Sequence, residues 1–271
     1  MEPLPDEAMA RDVSGNVLPP DAGKPVRGIA VARRHLAASD PDLAALIRRV
    51  GPCGLRMDPS REPAESLVRA VAHQQLHGRA AEAMLGRLDA RLGGTGLADA
   101  GAILRLEPGA MRACGFSGAK EAAIRGVCEA ALDGRVPSRA RAARLSDAEL
   151  IERLSALRGI GRWTVEMLLI FSLGRTDIMP ADDFGVREGY RLIRGAASQP
   201  RPRVLLAETA SWSPWRSMAA WYLWRAADLA KLTRGAGNPA AAGESAPDSP
   251  RAASARRVRS PRSGSRETGD A

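Results

Sequence analysis

The chain has 271 residues, 45% of them apolar and 26% charged, with a formal net charge of +9 and an isoelectric point near 10.5. That apolar content suffices for an ordinary globular core, and no apolar run approaches the roughly eighteen residues of a membrane helix, so a soluble, non-membrane protein is expected. Three widely spaced cysteines, Cys53, Cys114 and Cys128, allow neither a disulfide framework nor a CxxC metal knuckle, which points to a reducing compartment.

Aromatic residues make up only 4%, Val, Ile and Thr form no alternating runs, and Ala, Leu, Arg and Glu dominate, so the expected class is all-α. Residues 1–28, opening MEPLPDEAMARDVSGN, are rich in Pro, Gly, Asp and Ala and read as a disordered N-terminal segment. Acidic residues stand where a signal peptide would be basic and then apolar, and a cytoplasmic, nucleoid-associated location follows. A single domain over 29–232 reads as helices broken by Gly and Pro, at 40–50, 63–73, 77–92, 98–105, 108–113, 117–132, 146–157, 162–173, 183–194, 202–208 and 214–231. Residues 233–271, ending in a run with RRVRSPRSGSR, read as a disordered basic tail: either a source of nonspecific DNA affinity or a solvated extension. The positive charge is mainly arginine, which suits phosphate contact, but charge alone does not separate a nucleic-acid partner from an Arg-rich composition.

Within the domain, Ser146-Asp147-Ala148-Glu149 is a capping-box pattern, followed at helical spacing by Leu150, Ile151, Leu154 and Leu157. That helix ends in Leu157-Arg158-Gly159-Ile160-Gly161, and the next opens at once with Arg162-Trp163-Thr164-Val165. Gly159 and Gly161 can take positive φ and expose bare backbone, so that the first N–H groups of the second helix face an anion; Ile160 plugs the gap between the helices. Farther along, Pro180 stops the preceding element, and Asp182 and Asp183 stand at a helix head, where they serve equally as caps or as functional carboxylates.

The string LSALRGIGRWTVEMLLIF, with the aspartate pair about twenty residues on, resembles the helix-hairpin-helix superfamily of DNA glycosylases. The segment from Trp212 to Arg225, which holds Trp212, Trp215, Trp221 and Trp224, resembles the C-terminal signature of its 3-methyladenine DNA glycosylase II branch. The resemblance extends over about 30–230 and implies two helical subdomains with a DNA-binding cleft between them. It also implies that Asp183 is catalytic and that Gly159, Ile160, Gly161, Arg162 and Thr164 form the DNA-binding hairpin. Trp163, Met167 and Trp212 are implied at the base pocket, with core packing the alternative for the four C-terminal tryptophans. Gln75 is implied as the wedge that fills the gap left by the extruded base, although Gln74 and Gln75 could equally cap a helix end. His73 and His77 flank the pair where relatives carry small residues, and Met111–Ser117 with Lys120 match scaffold helices.

What the resemblance implies chemically is hydrolysis of the N-glycosidic bond of alkylated purines in double-stranded DNA, by base flipping, by a monomer. Relatives that also cleave the strand carry a lysine nucleophile two residues after the second hairpin glycine; Trp163 stands there, so no lyase activity is expected. No cysteine follows Cys128, so no iron–sulfur cluster is expected, and three unclustered histidines argue against zinc. A structural monovalent cation on hairpin carbonyls such as those of Leu157 or Gly159 is implied by analogy alone. The competing readings are a noncatalytic DNA-binding module, an interaction scaffold, and a glycosylase for oxidised or deaminated purines.

Overall fold

The computed structural model describes residues 23–236 apart from His77. The expected disordered ends fall largely on residues 1–22 and 237–271, which lie outside the described residues. Two boundaries move. Lys24–Pro25 (β1) pairs antiparallel with Arg56–Met57 (β2), Lys24 opposite Met57, so structure begins before residue 29. At the other end the last helix continues to Ala236, past residue 232. A ladder of two residues is too short to leave a periodic signal, and it is held by tertiary burial of the adjoining Val26.

Helix α1 (Ile29–Ser39) is absent from the sequence expectation. It buries only Ala32 and Leu36 and starts at Gly28 without a side-chain cap, so neither an apolar stripe nor a start signal marks it. Helix α2 (Pro41–Val50) is conventional: Asp40 accepts from the N–H groups of Asp42 and Leu43, both at 3.0 Å, and Pro41 occupies the first turn.

The middle of the chain forms α3 (Pro63–His73), α4 (Gly78–Arg91), α5 (Ala100–Arg105), α6 (Ala110–Ala113), α7 (Gly118–Leu132), α8 (Arg139–Ala142) and α9 (Asp147–Ser155). The capping box forms as expected, with Glu149 N–H donating to Ser146 Oγ at 3.2 Å and Ser146 N–H to Glu149 Oε2 at 2.7 Å. The helix expected over 162–173 is α10 (Arg162–Met167) continued by a π turn, Leu168–Ser172. Then follow α11 (Phe184–Ile193), α12 (Pro202–Glu208) and α13 (Arg216–Ala236).

These helices pack as two groups sharing one continuous apolar core. In one, α3 packs on α4 and α7, α7 on α5, and α10 on α9 and α3; in the other, α1 and α2 return from the start of the chain to pack with α11 and α13. Gly189 permits the tightest of these contacts, since a Cβ there would lie 2.0 Å from the Leu223 carbonyl oxygen of α13. The class is all-α, and the seam between the groups positions the site.

Candidate active site

The hairpin between α9 and α10 places its two glycines differently. Gly159 has φ 81° and sits where a Cβ would lie 2.8 Å from the Ala123 Cβ, so both conformation and packing demand glycine. Gly161 does not take the positive φ that sequence reasoning allowed: it is extended, at φ −84° and ψ 162°, and nothing lies within 4 Å of a Cβ there. Its requirement is not set by its own fold. Ile160 is buried as the expected plug, while Gly159, Gly161 and Arg162 are exposed. Thr164 corrects the expectation of a surface contact. It lies on the inward face of α10 and is buried, so its side chain faces the core and not the surface. The N-terminus of α10 has no side-chain cap, which leaves its first amides available to an external acceptor.

Asp183 is the N-cap of α11 and receives three N–H groups. Oδ1 accepts from Val186 N and from Trp224 Nε1, and Oδ2 from Trp163 Nε1, all at 2.8 Å. The cap bond is local. The indoles come from α10 in one helical group and α13 in the other, so the carboxylate sits on the seam. Gly185 makes the Trp224 contact possible, because a Cβ there would lie 2.8 Å from Trp224 Cδ1. Trp224 is steadied behind by Phe171, which extends from the π turn and stacks on it at 5.8 Å between centroids. On the open side Trp163 is 38% exposed and Phe184 63% exposed, a pair of aromatic surfaces beside Asp183.

Two expected pocket residues turn inward. Trp212 has no exposed surface: it packs on Tyr190, about two turns along α11 from Asp183, and donates its indole N–H to Asp40 at 3.2 Å. Met167, 2% exposed, belongs to the core. Trp224 takes the place sequence reasoning assigned to Trp212. The one signal that could have found it is Gly185, a poor residue for a first helical turn unless something approaches closely.

Gln75 is exposed and, among the described residues, the only non-glycine with positive φ, at 57°. Gln74 is the C-cap of α3, its side chain donating to the Gly159 carbonyl at 3.0 Å, while His73 is buried against Glu82 at 2.9 Å. His77 lies outside the described residues. The hairpin carbonyls offered for a monovalent cation each already accept an N–H, Leu157 O from Ile160 and Gly159 O from Gln74.

One carboxylate near the site was missed. Glu166 is buried, with Oε1 accepting from Arg162 Nε at 2.8 Å and Oε2 without a partner. Burial pushes its carboxyl above the ordinary range, Arg162 acts in the opposite sense, and the charges of Asp182 and Asp183 raise it further. Among the described residues no group of three His, Cys, Asp or Glu side chains converges as a metal site would require.

Residues 68–216 match the family model described as HhH-GPD superfamily base excision DNA repair protein. DNA-3-methyladenine glycosylase 1 of Schizosaccharomyces pombe is 42% identical over 212 residues, covering 77% of this chain and 92% of that protein. The solved structure of S. pombe 3-methyladenine DNA glycosylase (Mag1) in complex with abasic DNA matches with a TM-score of 0.63 at 43% identity, covering 72% of this chain and 95% of that one. A DNA-3-methyladenine glycosidase structure from Bacillus halodurans matches with a TM-score of 0.68 at 31% identity, covering 74% and 91%. This chain is a member of the HhH-GPD superfamily of base excision DNA repair proteins.

Proposed function

We propose that the protein is a monofunctional DNA glycosylase that hydrolyses the N-glycosidic bond of alkylated purines, of the 3-methyladenine and 7-methylguanine type, in double-stranded DNA. The observation that carries the reading is the convergence of Trp163 and Trp224 on Asp183: a helix cap accounts for the Val186 bond but not for two indole donors brought from separate helices. The similarity to named 3-methyladenine glycosylases supports the same substrate class.

Duplex DNA hides the glycosidic bond, so the damaged nucleotide is rotated out at a cost of a few kcal/mol. The exposed amides at the start of α10 and Arg162 hold phosphate, and Gln75 enters the vacated stack. A purine alkylated at N3 or N7 is cationic, and the Trp163 face attracts it by cation–π stacking worth about 0.5–2 kcal/mol, with Phe184 flanking the opening. The cation is already a good leaving group. Asp183 therefore acts on the sugar: its carboxylate stabilises the positive charge developing at C1′ and orients water, whose oxygen bonds C1′ as the base departs with the bonding electrons, the water's proton passing to the carboxylate. Free base and an abasic site result. Trp163 occupies the position of the lyase lysine, so strand cleavage is not part of the reaction. The hydrolysis as proposed needs no cofactor, and the enzyme works as a monomer on DNA in the cytoplasm.

Release of 3-methyladenine and 7-methylguanine from methylated duplex DNA, without strand scission before alkali, tests the reading. The wild type is expected to release both, and Asp183→Asn to release neither. Salt-sensitive DNA binding with no release by the wild type would replace the enzyme by a DNA-binding module.

A further inference from the structure

The turn carrying Gln75 and the hairpin are exposed loops far apart in sequence, yet the structure ties them together. Lys120, in the first turn of α7, donates from Nζ to the carbonyl oxygens of Ala72 and Gln74, both at 2.7 Å. These carbonyls belong to the C-terminal end of α3, where helical partners run out and a cation complements the dipole. From the same turn the Gln74 side chain reaches the Gly159 carbonyl at 3.0 Å. One helical turn beyond Lys120, on the same face of α7, Ala123 is the residue against which Gly159 packs. The start of α7 is thus a common base under both loops. Burial lowers the Lys120 ammonium from the ordinary lysine range, a cost that a simple surface lysine does not carry.

We propose that Lys120 and Gln74 are positioning residues for base extrusion: together they strap the Gln75 turn to the hairpin, so that Gln75 enters the stack in register with the phosphate the hairpin grips. The proposal rests on the glycosylase reading of the site. Neither residue reaches Asp183 through any bond described above; what the strap sets is the position of one DNA-facing loop relative to another. Its loss should impair unstacking of a paired base far more than bond cleavage once the base is out.

The test compares excision of 7-methylguanine paired with cytosine against the same lesion facing an abasic site, where extrusion is cheap. Lys120→Met and Gln74→Ala are each expected to lower the paired-to-unpaired rate ratio about tenfold, and the double variant no further than the worse single, because both sever one strap. Gln74→Ala removes only an exposed side-chain bond and keeps the test open if Lys120→Met folds poorly. Equal losses on both substrates, or none, would overturn the strap. A wild type that releases base from neither substrate overturns the glycosylase reading instead. In that case, fluorescence of 2-aminopurine in bound duplex still reads unstacking: a rise with the wild type that both variants lose supports the strap, and no rise, or an equal rise in all three, removes it.

Discussion

The Trp224 indole N–H meets Asp183 Oδ1 at 2.8 Å across 41 residues of sequence, opposite the Trp163 indole on Oδ2. The carboxylate of a helix cap is thereby fixed in orientation from both sides. Its N-cap bond alone would leave the outer oxygen free to swing, and two indoles remove that freedom.

Replacing Trp224 by Phe keeps a ring to stack on Phe171 and deletes one N–H bond to an anion, an interaction worth about 1.5–3 kcal/mol. Single-turnover excision should slow by about tenfold or more, with little change in Tm or DNA affinity. A Tm drop matching the activity loss would mean that Trp224 serves the core rather than the carboxylate.

Two glycines of α11 separate site geometry from fold. At Gly185 the atoms nearest an added Cβ are the Trp224 ring edge and Asp183 Oδ1, so Gly185→Ala should displace the indole and cut the excision rate at nearly native stability. At Gly189 it meets the Leu223 backbone at 2.0 Å, and Gly189→Ala should cost about 3 kcal/mol of stability by forcing α11 off α13. Parallel urea titrations and rates of the two variants decide; equal stability losses would contradict the distinction.

The hairpin glycines allow a similar contrast. Gly159→Ala places a side chain at φ 81° and against Ala123, and should lower Tm. Gly161→Ala meets nothing in the protein and should leave Tm unchanged while weakening duplex binding, because the new methyl projects from the surface offered to phosphate. Binding isotherms at two salt concentrations would show it, and unaltered affinity would take Gly161 out of the interface.

Glu166 makes stability depend on pH. A carboxyl whose folded value is raised contributes stability that is complete below the unfolded value and lost as pH rises through the folded one. Near pH 8, far above the unfolded value, the buried carboxyl therefore costs stability. Glu166→Gln keeps an oxygen for Arg162 and should raise Tm there by about 2–4 °C, the shift given by about 1 kcal/mol in a domain of this size. The gain should shrink towards about pH 4; a gain independent of pH would trace to packing instead.

Local rules account for what was legible in the chain. Ser146 and Glu149 announce a helix start, the glycine hairpin follows it, and Pro180 with the aspartate pair marks the head of α11, because capping, positive φ and proline each act within a few residues. The composition excluded a sheet-based fold, and the resemblance of the hairpin and aspartate pair to the DNA glycosylases singled out Asp183. The tertiary structure decided which of several chemically identical residues faces it. Trp212 and Trp224 are equivalent as letters; the packing of α13 on α11 brings Trp224 to Asp183, while the turn 210–212, packed on α1, brings Trp212 to Asp40. Likewise Thr164 and Met167 turn inward because α10 packs on α3 and α9, and Gln74 meets Gly159 because α3 packs on α7 and Gly159 rests against Ala123 of the same helix. A side chain's direction in space is the sum of every helix crossing between it and its partner, and no local pattern carries that sum.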